Sequence, residues 1–186
     1  MKAASECFSK KGFHNTTMQD IIQQSHLSPG AIYRYFKSKD ELIQAIALKR
    51  QSAERDILEQ PLNSTDVMDI LEKLSSHFFG SLETDETMKD RRVGVQMWAE
   101  AIINPEILQI TNRGIEAPLA ELKKVFAHAQ EHGTIDKDID SEALARVIVA
   151  LFQGFILQKV WDPAVRSDSY LKTVKVLLRN LVPSTH

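Results

Sequence analysis

Residues Phe8 to Leu42 read FSKKGFHNTTMQDIIQQSHLSPGAIYRYFKSKDEL, and this stretch decides the fold. Three helix-start signals crowd into it. Thr17 stands before Met18-Gln19-Asp20, so its hydroxyl can accept from orphan amides of the first turn while Asp20 caps in return. Ser28 stands before Pro29, a capping side chain followed by proline at the first helical position. Ser38-Lys39-Asp40-Glu41 repeats the reciprocal pattern. Starts this close together require short, tightly turned helices. Gly12 ends one helix before them, and Ser25-His26-Leu27 turns the chain between the next two. The layout is that of a helix-turn-helix. Ile21, Ile22, Leu27, Ile32 and Phe36 are expected to form its small core with Phe8 and Phe13. Ser28, Gly30, Ala31, Arg34 and Tyr35 are left facing outward.

That outward face suits a DNA groove. A recognition helix presents its N-terminal residues to base edges. Gly30 and Ala31 lack bulk, so the helix can sit deep and reach a thymine methyl or a phosphate. The flanks carry the chemistry of phosphate contacts, which fix register while base contacts choose sequence. Thr17 sits at a helix N-terminus, where amides and dipole favour an anion. Lys39 adds its own charge to the same dipole one helix later. Tyr33 offers a hydroxyl on a stiff ring. As a plain packing motif, the same arrangement occurs in proteins that bind no nucleic acid.

Outward from this stretch, the 186-residue chain has a net charge of −2 that hides an asymmetry. Residues 1–50 hold eight Lys/Arg against four Asp/Glu, leaving 15 against 21 in the remainder. A basic front on an acidic body points to a polyanion meeting the front alone. Cys7 is the single cysteine, which excludes an internal disulfide framework and fits a reducing cytoplasm. The N-terminus has no apolar signal region. The longest apolar run, Val147 to Leu157, is too short to cross a membrane, so no membrane partner is expected.

Apolar residues recur at helical spacing almost throughout, and no strand pattern is found. The expected class is all-α with about nine helices: roughly 1–11, 18–24, 29–35, 39–59, 65–83, 87–103, 105–131, 141–161 and 167–181. Gly114 and Pro118 are expected to kink or split the seventh.

Residues 8–42 resemble the N-terminal domain of TetR-type transcriptional repressors. The matching features are Gly12-Phe13, Thr17, Ile21, Ser28, Gly30, the Tyr33-Arg34-Tyr35-Phe36 block, Ser38-Lys39 and Leu42. Later, MWAEAIINPEI is similar to a segment of some members. The chain departs from the family in three places. His26 stands where the tight turn often has glycine, Ile22 stands where a small alanine is usual, and only Lys2 precedes the first helix where members commonly carry a basic arm. The resemblance implies a DNA-binding domain over 1–46 and a ligand-binding and dimerisation domain over 47–186. It implies a homodimer on a partly palindromic double-stranded operator, released when a small-molecule inducer binds the body. Carried over by position, Thr17, Tyr33 and Lys39 hold phosphates. Ser28, Pro29, Gly30, Ala31, Arg34 and Tyr35 form the reading face.

In the body, Met and aromatic side chains suit an adaptable pocket as well as a core. Phe78, Met97, Trp98 and Phe155 are the first candidates for a pocket, with Glu100 as a partner for a cationic ligand. Residues 147–152 are apolar on nearly every side, which predicts burial on both sides of that helix. With the leucine face near the C-terminus, Ile148, Phe152, Val174, Leu177, Leu178 and Leu181 are expected to form an isologous four-helix dimer interface. Burial within one subunit is the competing reading. His128 and His132 share a helix face, yet no third ligand is evident, and no metal or cofactor is assigned. No nucleophile elbow, triad or phosphate-binding glycine loop is present, so no enzyme is expected. The alternative function is a helical small-molecule-binding protein whose front domain no longer binds DNA.

Overall fold

Each of the three crowded caps starts a helix in the computed structural model, which describes residues 1–59, 69–70, 72–73, 76 and 84–179. The helices are α1 (Lys2–Asn15), α2 (Met18–Ser25), α3 (Pro29–Tyr33), α4 (Lys39–Glu59), α5 (Asp85–Glu100), α6 (Pro105–Glu131), α7 (Ser141–Trp161) and α8 (Ser167–Arg179). Among the described residues there is no strand, so the all-α expectation holds. Residues 69, 70, 72, 73 and 76 are helical, and the rest of the helix expected over 65–83 lies outside the described residues.

Local chemistry explains most boundaries. The regular part of α1 ends at Gly12, whose φ of 80° and ψ of 165° break the helical path. That φ is cheap only without a Cβ. Asp140 caps α7, its carboxylate accepting from the Glu142 and Ala143 amides at 2.8 and 2.9 Å. Of the kink or split expected in α6, the split does not occur. The helix runs unbroken from Pro105 to Glu131 with Pro118 inside it. The bond that Pro118 cannot make would have run to the carbonyl of Gly114, four residues back. Burial of the Leu122, Phe126 and Ala129 side of α6 outweighs that one lost bond.

The chain forms two compact units. The first joins Met1–Ala53 to Asp85–Gly114. Its core holds Ala4, Cys7, Phe8, Phe13 and Ile21 with Leu42, Ile43, Ile46, Val93, Met97 and Ile107. Phe8 and Phe13 meet edge to face at 4.9 Å. The second unit is Glu54–Thr84 with Ile115–His186. Its core gathers Ile70, Leu122, Phe126, Ile135, Leu144, Ile148, Phe155 and Val174. The Tyr170 ring stacks on Phe155 at 4.3 Å, and its hydroxyl donates to the Leu151 carbonyl at 3.2 Å.

Two expectations about apolar residues need correction. Leu27 is not in the helix-turn-helix core but 58% exposed, because the left-handed turn at His26 swings it outward. The claim that no segment could cross a membrane also fails. Helix α7 as a whole is long and apolar enough by length and composition, since Ser141–Arg146 adds only two charges to the apolar run. Only 33% of its apolar window is buried in the subunit.

Candidate nucleic-acid interface

The site rests on α2 and α3. Thr17 and Asp20 form a full reciprocal cap: the Asp20 amide donates to Thr17 Oγ1 at 3.2 Å, and Thr17 N and Oγ1 donate to Asp20 Oδ2 at 2.8 and 2.7 Å. The Lys11 ammonium, 2.6 Å away, and then these Thr17 donors hold the Asp20 carboxyl well below the usual carboxylate range. The turn passes through His26 at φ 55°, ψ 21°, the left-handed region that glycine enters at no cost. Ser28 then caps α3, its Oγ accepting from the Ala31 amide at 3.3 Å. Ser38 accepts from the Glu41 amide at 3.2 Å, but Glu41 returns its bond to the Lys37 amide at 2.7 Å instead of that of Ser38.

Ile21 and Ile32 are buried beneath this frame, while Thr17, Ser28, Pro29, Gly30, Tyr33, Arg34 and Tyr35 are exposed. Ala31 is half-buried. Apart from its chain neighbours and the backbone of its own helix, no atom lies within 4 Å of where a Gly30 Cβ would stand, so the start of α3 is open to an approaching backbone. Tyr35 is 73% exposed with the Arg34 guanidinium 6.0 Å from its ring centroid. Exposed aromatic and cationic groups on one helix end are the donors and stacking surfaces that a groove can use.

Lys39 is placed differently from the simple phosphate contact expected of it. Its half-buried Nζ donates to the carbonyl of Phe13 at 2.6 Å and to that of His14 at 3.4 Å. The ammonium closes the C-terminal end of α1 and stands on the edge of the proposed DNA face.

The structure also assigns a role to a residue that the sequence placed in the body. Gln96, on α5, donates through Nε2 to the Phe8 carbonyl at 3.0 Å and accepts at Oε1 from the Phe13 amide at 2.9 Å. It bridges the Gly12 break in α1. The non-helical Gly12 turns the Phe13 amide away from the α1 ladder, and a single sequence offers no sign of its pairing with Gln96. Beside it, Glu100 Oε2 lies 3.8 Å from His14 Nε2. One turn and more earlier, the Arg50 guanidinium reaches the Asp90 carbonyl at 2.8 Å and the Asp90 carboxylate, crossing Gly94, where a Cβ would stand 2.6 Å from it.

Of the candidate pocket residues, Met97 lies in the core of the first unit and Phe155 in that of the second. Trp98 and Glu100 are half-buried on α5. Phe78 lies outside the described residues. Of the candidate dimer residues, Ile148 and Val174 are buried in their own subunit, and Phe152 packs against that core. Leu177 is exposed. Leu181 and the side chain of Leu178 lie outside the described residues. Among the described residues, the large apolar side chains that α7 and α8 expose are Val147, Trp161, Val176 and Leu177.

Residues 1–46 match the family of bacterial regulatory proteins of the tetR type, and residues 71–183 match the C-terminal domain of BetI-type transcriptional repressors. The chain is 25% identical over 186 residues to the HTH-type transcriptional regulator UidR of Escherichia coli K12, covering all of this chain and 92% of that protein. It is 28% identical over 162 residues to the HTH-type transcriptional regulator TtgR of Pseudomonas putida, covering 84% and 76%. Among solved structures, Salmonella enterica GusR superimposes with a TM-score of 0.76 at 29% identity, over 97% of this chain and 92% of that one. The fatty acid degradation regulator FadR of Bacillus halodurans shares the fold, with a TM-score of 0.81 at 21% identity, over 96% and 91%.

Proposed function

The chain belongs to the TetR family and is a DNA-binding transcriptional regulator, not an enzyme, and from that premise we propose that it is a homodimeric repressor of a partly palindromic operator, released by a small-molecule inducer. The observation that carries the DNA reading is the open, doubly capped α2–α3 pair. It exposes Tyr33, Arg34 and Tyr35 around a Gly30 with no neighbour. In this reading residues 1–46 are the DNA-binding part and 47–186 the ligand-binding and dimerising part. Thr17, Tyr33 and Lys39 hold phosphates, and Ser28 to Ala31 with Arg34 and Tyr35 read the groove. Operator binding puts the protein with the chromosome, in the cytoplasm.

Dimerisation draws support from one face of α7. Ala143, Val147, Ala150, Gly154, Gln158 and Trp161 follow one another at helical spacing, and none is fully buried. A Cβ on Gly154 would meet nothing within 4 Å, so a partner helix can come close there. With Val176 and Leu177 of α8, this face makes the isologous contact. Ile148 and Val174 support it from within. Inducer binding rests on the family, and Trp98 on α5 is the residue whose emission would report it.

Fluorescence anisotropy on DNA flanking the protein's own gene tests the reading. The expected result is a complex of one dimer per site whose affinity falls steeply with salt and exceeds that for unrelated DNA by about 10³ or more. Equal affinity for all sequences at moderate salt would overturn operator recognition. Arg34→Ala and Tyr35→Ala should then relax base preference and not weaken every site equally.

A further inference from the structure

The C-terminal end of α6 carries a group of side chains that the DNA-binding function does not use. His128, Glu131 and His132 are all exposed, and one ligand atom from each lies within 4.8 Å of the others. The sequence His128-Ala-Gln-Glu131-His132 explains the meeting. Residues three and four apart share a helix face, and the pattern H-x-x-E-H sets two imidazoles one turn apart with a carboxylate beside them. The rings stand with centroids 4.2 Å apart, tilted by 46°. The third donor that spacing alone did not reveal is the Glu131 carboxylate, whose Oε2 is 4.0 Å from His128 Nδ1.

We propose that His128, Glu131 and His132 form a surface site for a divalent transition ion of the Zn²⁺, Ni²⁺ or Cu²⁺ type. Three features beyond the spacing support it. The first is tautomer control. His132 Nδ1 lies 2.9 Å from the His128 carbonyl. Donating its proton there leaves the lone pair on Nε2, the arrangement by which a second partner commonly orients a metal-binding imidazole. The second is rigidity. The Gly133 amide donates to the Gln130 carbonyl at 3.1 Å and the Thr134 amide to that of Ala129 at 2.8 Å, with Gly133 at φ 71°. This is a Schellman cap. Gln130 Nε2 holds the following loop through the Asp136 and Ile139 carbonyls at 2.9 and 2.6 Å. The third is the field: the end of a 27-residue helix presents the negative pole of its dipole to a cation.

Zinc bonds of about 2.1 Å put tetrahedral ligand atoms about 3.4 Å apart. Rotation of exposed side chains closes the present 4.8 Å to that spacing without moving the capped backbone. Two imidazoles select borderline ions over Mg²⁺ or Ca²⁺, which prefer oxygen donors. Water completes the coordination, and an ion there ties the last turn of α6 together.

Calorimetric titration of the untagged full-length protein with Zn²⁺, and separately with Ni²⁺, tests the site. One ion per chain is expected, with Mg²⁺ giving no saturable heat. His128→Ala and His132→Ala should each weaken Zn²⁺ binding by at least the roughly tenfold that loss of an outer partner costs a metal site. Glu131→Gln should weaken it by a smaller factor, and His26→Ala should leave it unchanged. Circular dichroism of each variant should match wild type, since all four side chains are exposed. Absence of saturable Zn²⁺ binding, or binding that survives in both His128→Ala and His132→Ala, would overturn the site. Full affinity in Glu131→Gln would overturn the three-ligand geometry.

Discussion

Gln96→Leu is the substitution that most directly tests how α5 holds the DNA-binding head. The change keeps the side-chain volume and removes one donor and one acceptor. It leaves the Phe8 carbonyl and the Phe13 amide, now at 3.0 and 2.9 Å from the amide group, without their partner. Each intramolecular hydrogen bond contributes about 1 kcal/mol net, and stranding a buried partner costs about 1–3 kcal/mol. Both groups are only partly buried, so water offsets some of that second cost. The expected loss is about 2 kcal/mol. With a urea slope of about 2 kcal/mol/M, the midpoint should fall by about 1 M, measured at fixed protein concentration because the stability of any oligomer depends on it. Gln96→Glu sharpens the test. At neutral pH the carboxylate still accepts from the Phe13 amide but opposes the Phe8 carbonyl with another oxygen. Its neutral form regains a donor, so folding favours protonation and raises its pKa above the unfolded value of about 4.3. Its deficit against wild type should therefore be smallest below about pH 4 and grow as pH rises through the folded pKa. A loss under about 0.5 kcal/mol in Gln96→Leu, or a Gln96→Glu deficit that ignores pH, refutes the bridge.

Three further outcomes follow from the same geometry. Lys39→Met should lower the slope of log affinity against log salt by about 0.9 per protomer, roughly two per dimer; an unchanged slope in anisotropy titrations would leave the ammonium on the Phe13 carbonyl alone. Val147→Asp and Leu177→Asp should give folded monomers by sedimentation, whereas Ile148→Asp should unfold the second unit because that side chain sits in its core; dimers persisting in both exposed-site variants would remove the proposed interface. Asp20 is depressed by Lys11 and Thr17, so its contribution to stability is present above about pH 4 and is lost as pH falls toward the lower folded value. Asp20→Asn should accordingly flatten the acid limb of a plot of Tm against pH, and an acid limb identical to wild type would show that the pair with Lys11 does not act in solution.

What could be read in advance divides by range. Caps at Thr17, Ser28 and Ser38 act over three residues, so residue type and spacing suffice to place them. The same holds for the strained His26 turn. The error at Leu27 came from treating the turn as continuous with two amphipathic helices, when one left-handed residue redirects the side chain that follows. The split expected at Pro118 does not occur because the local rule counts the lost bond and not the apolar face that α6 buries through Leu122, Phe126 and Ala129. Residues 147–152 showed that α7 has two apolar sides but not which faces home. Leu122, Phe126 and Val174 decide that, and they come from two other helices. Gln96 lay beyond any local rule, because its partners are 83 and 88 residues away.

Phe13 is where these attachments converge. Its amide is held by Gln96 from α5, and its carbonyl by Lys39 at the first position of α4. Its ring packs on Phe8 in the core of the first unit. One residue thus links α5 to Lys39, through an amide and a carbonyl that belong to two successive peptide groups. A displacement of Gln96 along α5 breaks its bond to the Phe13 amide unless the Gly12–Phe13 peptide follows it. A rotated Phe13 carbonyl alters the acceptor on which the Lys39 ammonium rests. A phosphate bound by Lys39 would compete with that carbonyl for the same donors, so loosening one contact would strengthen the other. The free protein holds Lys39 on the carbonyl side of that competition.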